Sequence, residues 1–201
     1  MINVYKYEAT NEDDCYEKCI EELDVYRSEI IIESEELEDS YKMTVVKKED
    51  IINFIKEYVK TIGSKMNLDI KLEVRESDDI FSVTMVSNNN PILIGKDGRT
   101  INSLQLLMRQ SLQNQTGMAI KVNLDASNYK AKKVKKFEFE IKNIVREVQK
   151  TKIDVSLDNM NSYERRIVHN VLTKFKNIST TSEGEEPNRH IVIRYVEDEE
   201  E

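Results

Sequence analysis

Two of the five glycines in this 201-residue chain lie three apart, in Ile94-Gly95-Lys96-Asp97-Gly98-Arg99-Thr100-Ile101. Glycine is wanted where φ must be positive or where another main chain must come close. The apolar run Pro91-Ile92-Leu93-Ile94 precedes the pair, and Ile101, Leu104, Leu107, Met108 and Leu112 follow it at helical spacing. Helix, tight loop, helix is the local reading, with amides and a helix N-terminus turned toward whatever binds. That geometry suits a phosphate. A second constellation is Arg165 and His169, four apart in Tyr163-Glu164-Arg165-Arg166-Ile167-Val168-His169. On a helix, Ile167, Val168, Val171, Leu172 and Phe175 share one arc, while Arg165, Arg166, His169 and Lys176 share the other, exposed one. Two guanidinium groups and an imidazole can hold phosphate and stack on bases. Equally, such a face is simply solvated, with His169 paired locally to Glu164 or Glu183.

The third constellation is a run of lysines: Lys130, Lys132, Lys133, Lys135 and Lys136. It reads either as a solvated helix face or as a phosphate track leading from the glycine loop toward the Arg165 helix. Other chemistries are missing from the pattern. Cys15 and Cys19, the only cysteines, sit one turn apart on a probable helix without the partners of a zinc site. They read as small buried or half-buried residues without a redox role. Neither His169 nor His190 has a ligand-spaced partner on the same element, so no metal and no cofactor is expected. No Cys/His dyad, Walker loop or paired carboxylates in a plausible pocket point to an enzyme.

A net charge of -8 conceals strong segregation. Residues 1–90 carry 11 basic and 22 acidic side chains, residues 91–150 carry 12 and 5, and residues 151–201 carry 7 and 11. The field a ligand meets is local, and the basic block begins at the glycine loop. No run is long or apolar enough for a membrane span or a signal peptide, which points to a cytoplasmic protein.

The elements that must position these groups form an α+β chain of three small modules. Residues 1–46 read as strand, helix, strand, strand, with Thr10 or Asn11 capping the helix. Residues 48–125 read as helix, strand, strand, helix, glycine loop, helix, strand, the first helix ending at Gly63 as its C-cap. A long helix at 126–150 carries the seam Val134, Phe137, Ile141, Ile144 and Val148. Residues 151–196 read as a short strand, a helix capped by Ser162 and running to about Phe175, a polar loop at 179–187, and a last strand. Residues 197–201 form an acidic tail expected to be disordered.

In that order of elements, Ile94 to Ile101 resembles the GxxG loop of a type II KH domain. The resemblance implies that the loop grips the backbone of about four nucleotides while bases lie along an apolar groove. On this chain Gly95 and Gly98 would admit the sugar-phosphate, and the amides of Lys96 and Asp97 would meet phosphate with the side chains of Lys96 and Arg99. Ile94 and Ile101 would floor the groove. Arg165 to His169, followed by Asn188-Arg189-His190-Ile191-Val192-Ile193, looks like the R-three-H domain, a single-stranded nucleic-acid binder named for Arg-x-x-x-His. Arg189 joins its expected contact set. KH followed by R-three-H, over about 48–196, is similar to the bacterial Jag (KhpB/EloR) family.

That resemblance implies a cytoplasmic regulator without catalytic activity, binding single-stranded RNA and linked to cell elongation and envelope synthesis. A small KH-domain (KhpA-like) heterodimer partner, or self-association, comes with it. The N-terminal module departs from the family pattern in having no glycine before residue 63; its acidity should keep it off RNA and suits a protein-interaction role. Single-stranded DNA binding, a dimerising KH scaffold and an RNA-directed enzyme are the alternatives.

Overall fold

The computed structural model describes residues 1–197; of the acidic tail expected to be disordered over 197–201, residues 198–201 lie outside the described residues. The chain forms two compact units, Met1–Tyr129 and the residues from Lys130 onward. In the first unit, β1 (Val4–Ala9), α1 (Glu12–Leu23), β2 (Ile30–Glu36) and β3 (Tyr41–Lys47) build an antiparallel sheet of order β1-β3-β2 under one helix. Asn11 caps α1, its Oδ1 accepting from the Asp14 amide at 2.8 Å, and Glu12, Asp13 and Asp14 complement the dipole of the first turn. Cys15 and Cys19 are both buried between α1 and that sheet.

The rest of this unit is α2 (Lys48–Lys65), β4 (Ile70–Ser77), β5 (Ile80–Ser87), α3 (Asn90–Ile94), α4 (Arg99–Thr116) and β6 (Lys121–Ala126). The sheet order is β4-β5-β6, with β4 antiparallel and β6 parallel to the central strand. Strand alternation buries Phe81, Val83 and Met85 of β5 with Val122, Leu124 and Ala126 of β6. Ile51, Ile55 and Val59 of α2 and Ile101, Leu104 and Met108 of α4 complete that core. Ile2, ahead of β1, and Val46 of β3 enter it as well.

Gly63 is not a cap. The helix runs on to Lys65, and a Cβ at Gly63 would lie 2.8 Å from Ile70 Cδ1, so glycine is there to let α2 press onto β4. Lys48 at the start of α2 spans the β4–β5 turn, 2.9 Å from Glu76 and 2.8 Å from Asp79. Burial opposes its charge, but the hydrogen bonds to Asp79 and Glu76 outweigh it and hold the ammonium above the usual lysine range.

The second unit holds α5 (Tyr129–Thr151, entering from the first unit), β7 (Val155–Ser156), α6 (Ser162–Leu172), β8 (Ile178–Glu183) and β9 (His190–Tyr195). Its antiparallel sheet has the order β7-β9-β8. Ile141, Val145 and Val148 of α5 pack with Val168, Val171 and Leu172 of α6 and with Ile191 and Ile193. Three expectations change here. Asn161, not Ser162, caps α6, in a reciprocal capping box with Glu164. The helix stops at Leu172, short of Phe175. Residues 178–183 are strand where a polar loop was expected; Ile178, Thr180 and Ser182 alternate half-buried with exposed Ser179, Thr181 and Glu183. A sheet-edge strand needs no apolar stripe when its partner β9 supplies the hydrogen bonds and the buried face.

Candidate nucleic-acid interface

The glycine loop is a single 3-10 turn, Lys96–Gly98, set between α3 and the 18-residue α4. Gly95, Asp97 and Gly98 all have positive φ, at 74°, 55° and 85°. The turn closes on itself, Gly95 N–H donating to Pro91 O at 2.8 Å and Gly98 N–H to Gly95 O at 3.3 Å. Lys96, Asp97 and Arg99 are exposed, while Gly95 and Ile94 are half-buried. A cationic, solvent-facing rim on a rigid turn is what an approaching phosphate requires.

Two members of the expected set sit elsewhere. Ile101 is 1% exposed and lies in the core, so it supports the loop from beneath and cannot floor a groove. Gly98 is buried; a Cβ there would lie 2.7 Å from Tyr129 Cε1. Its missing side chain makes room for Tyr129, and the approach of a ligand falls to Gly95, Lys96 and Asp97. Tyr129 was not singled out from sequence, although its place just ahead of the lysine run was visible.

In the second unit the expected exposed face is partly internal. Arg165 is 9% exposed. Its Nη1 donates to Met160 O at 2.7 Å and its Nη2 lies 2.8 Å from Glu186 Oε1, tying the start of α6 to the turn before β9. The physical reason is periodicity: Arg165, Val168 and Leu172 share one buried stripe. His169 is half-buried, its Nδ1 2.9 Å from Thr180 Oγ1, and so pairs with neither Glu164 nor Glu183. Arg189 Nε donates to Ser182 Oγ at 3.0 Å. The two half-buried hydroxyls of β8 therefore orient His169 and Arg189, a role invisible while 179–187 is read as loop. Arg166 and Arg189 are exposed.

Lys130, Lys132, Lys133, Lys135 and Lys136 are all exposed on α5, Lys136 lying 3.7 Å from Glu140. Among the described residues, no group of three or more His, Cys, Asp or Glu is placed to hold a metal ion. No helix among them is long and apolar enough to cross a membrane.

Family models match both units: the KH domain of KhpA/KhpB over residues 52–125 and the R-three-H domain over residues 135–195. RNA-binding protein KhpB of Clostridium symbiosum is 38% identical over 149 residues, 73% of this chain and 67% of that protein. RNA-binding protein KhpB of Bacillus subtilis is 33% identical over 153 residues, 75% of this chain and 74% of its own length. That of Lactiplantibacillus plantarum is 31% identical over 143 residues but is covered over only 43% of its length. With a KH unit and an R-three-H unit in one order, and similarity running through both, the chain belongs to the KhpB family.

Proposed function

We propose that this protein binds single-stranded RNA without chemically altering it, and that the KH loop is the principal grip. One observation carries the reading: Lys96, Asp97 and Arg99 are exposed on a positive-φ turn at the head of a long helix, inside the chain's basic segment. Lys96 and Arg99 meet phosphate, and half-buried Ile94 borders the nucleotide chain. Relatives named RNA-binding proteins support RNA over single-stranded DNA.

In the second unit Arg166, His169 and Arg189 make the contact, and Arg165 is a positioning residue that fixes the helix presenting them. The five lysines of α5 add nonspecific, salt-sensitive attraction. A small KhpA-like KH protein is the proposed partner, supported by Leu106 and Leu107, which stand exposed on α4 as an uncovered apolar pair. A cytoplasmic place and a part in regulating cell elongation follow the family resemblance.

The test is fluorescence anisotropy with an eight-nucleotide RNA. Lys96→Asp should weaken binding roughly 100-fold, the scale of a lost charge-assisted hydrogen bond plus a new repulsion, with the thermal midpoint unchanged. Unaltered binding by a folded variant overturns the reading.

A further inference from the structure

The free edge of β6 is covered by side chains of α4. In a parallel ladder alternate residues turn both main-chain groups to the partner strand. Ser127 N–H donates to Met85 O of β5 at 3.0 Å, so the odd-numbered residues of β6 face β5. Val122 and Leu124 therefore turn their amide and carbonyl groups outward. Gln105 Oε1 accepts from Leu124 N–H at 2.9 Å, and Arg109 Nε donates to Val122 O at 2.9 Å. Arg109 Nη2 also donates to Asn123 Oδ1 at 3.1 Å.

These residues belong to one stripe. Asn102, Gln105 and Arg109 recur at three- and four-residue steps behind Gly98. Measured from Arg99, Gln105 and Arg109 stand about 9 and 15 Å along the helix axis. A strand of about four nucleotides gripped at the loop is long enough to span that distance. The Arg109 side chain is exposed, yet it is anchored to the edge strand through two of its nitrogens. Anchoring removes much of the rotamer entropy that a free arginine would lose on binding.

We infer that Arg109, oriented by β6 and flanked by Gln105, reads a base, with guanine as the base it selects. A guanidinium fork matches the O6 and N7 acceptors of guanine, whereas uracil and cytosine offer no such pair. The inference rests on the proposed grip of the KH loop on RNA. Blocking the β6 edge against unwanted strand pairing is the competing account, and the experiment separates the two.

The probes are four octamers, U8, A8, C8 and (UG)4, titrated by anisotropy at several salt concentrations against wild type, Arg109→Ala, Arg109→Gln and Lys96→Asp. Wild type should favour (UG)4 roughly tenfold, within the range of one good arginine–guanine contact. Arg109→Ala should erase that preference while its salt slope on U8 stays unchanged. Arg109→Gln should move the preference toward A8, since a carboxamide matches adenine. Equal binding of all four octamers by wild type overturns the inference. So does a uniform loss in Arg109→Ala with the slope reduced by about 0.7, the mark of a phosphate contact. Unchanged preference in either folded Arg109 variant leaves only edge protection and overturns it too. Should Arg109→Ala fail to fold, Arg109→Gln decides alone. If Lys96→Asp binds every octamer as wild type does, the grip itself is refuted; if only the Arg109 results fail, the grip stands.

Discussion

The KH loop and the Arg165 helix present cations by opposite means. At the loop the main chain does the shaping, with positive φ at Gly95, Asp97 and Gly98 and Lys96 left in solvent. On α6 and its neighbours the side chains shape one another: Arg165 on Met160 and Glu186, His169 on Thr180, Arg189 on Ser182. A cation held by nothing but its own backbone is available to a ligand at little cost. One already bonded inside the fold contributes mainly by holding others in place.

That contrast predicts a separation of effects. The Lys96→Asp loss described above is the largest, and it should appear in binding alone. Arg165→Ala should instead appear in stability, lowering it by about 2 kcal/mol, because a buried guanidinium leaves the Met160 carbonyl without its donor. The Glu186 half of the pair is exposed and adds less. Urea unfolding measures the loss, and Arg165→Lys should recover part of it through one remaining hydrogen bond. If Arg165→Ala keeps full stability yet loses RNA, Arg165 is a contact residue and the contrast between the two regions fails.

How much of this could be read from sequence follows the same division. The loop was legible because its signal is local: two glycines three apart, an apolar run before and a helical pattern after. The cap of α1 was legible to within one residue, Thr10 or Asn11, and the inward lean of Cys15 and Cys19 was legible for the same reason. Gly63 misled because a helix-ending glycine and a glycine admitting a neighbouring strand look alike until Ile70 is placed beside it. β8 was missed because an edge strand of Ser and Thr carries no hydrophobic alternation, and its pairing with β9 is a tertiary fact. Missing β8 hid Thr180 and Ser182, the partners of His169 and Arg189. Helical spacing places Arg165 on the exposed arc with Arg166 and His169, yet it stands at the edge of that arc, beside Val168 and Leu172, and is buried with them. The stripe Gln105 and Arg109 carries no local signal, since their donor and acceptor on β6 lie 19 and 13 residues away.

A smaller effect tests whether the lysines of α5 behave like the loop or like ordinary surface. On a single strand each phosphate neutralised contributes about -0.7 to the slope of log K against log salt, so five give about -3.5. Lys132→Gln should flatten the slope by about 0.7 and weaken binding a fewfold at moderate salt. Titrations of U8 from low to high salt measure it. An unchanged slope assigns Lys132 to the solvated face and leaves the cationic contribution to the two shaped regions.

The smallest effect concerns the edge strand that orients His169 and Arg189. Glu183, the last residue of β8, lies 2.6 Å from Arg194 of β9, and Arg194 also hydrogen-bonds Thr181 and lies 3.6 Å from Asp154. The hydrogen bond from Arg194 holds the Glu183 carboxyl below the usual carboxylate range. A depressed folded-state value stabilises the fold above the ordinary glutamate value of about 4.3, and that contribution is lost as pH falls through the lower, folded one. Wild type should therefore exceed Glu183→Gln slightly in thermal midpoint at neutral pH, with the gap closing in acid. The pair is exposed to solvent and salt, so the gap is small. A gap that persists in acid would mean that the glutamate acts through packing; its closing would show that charge at the strand end helps seat the hydroxyls behind His169 and Arg189.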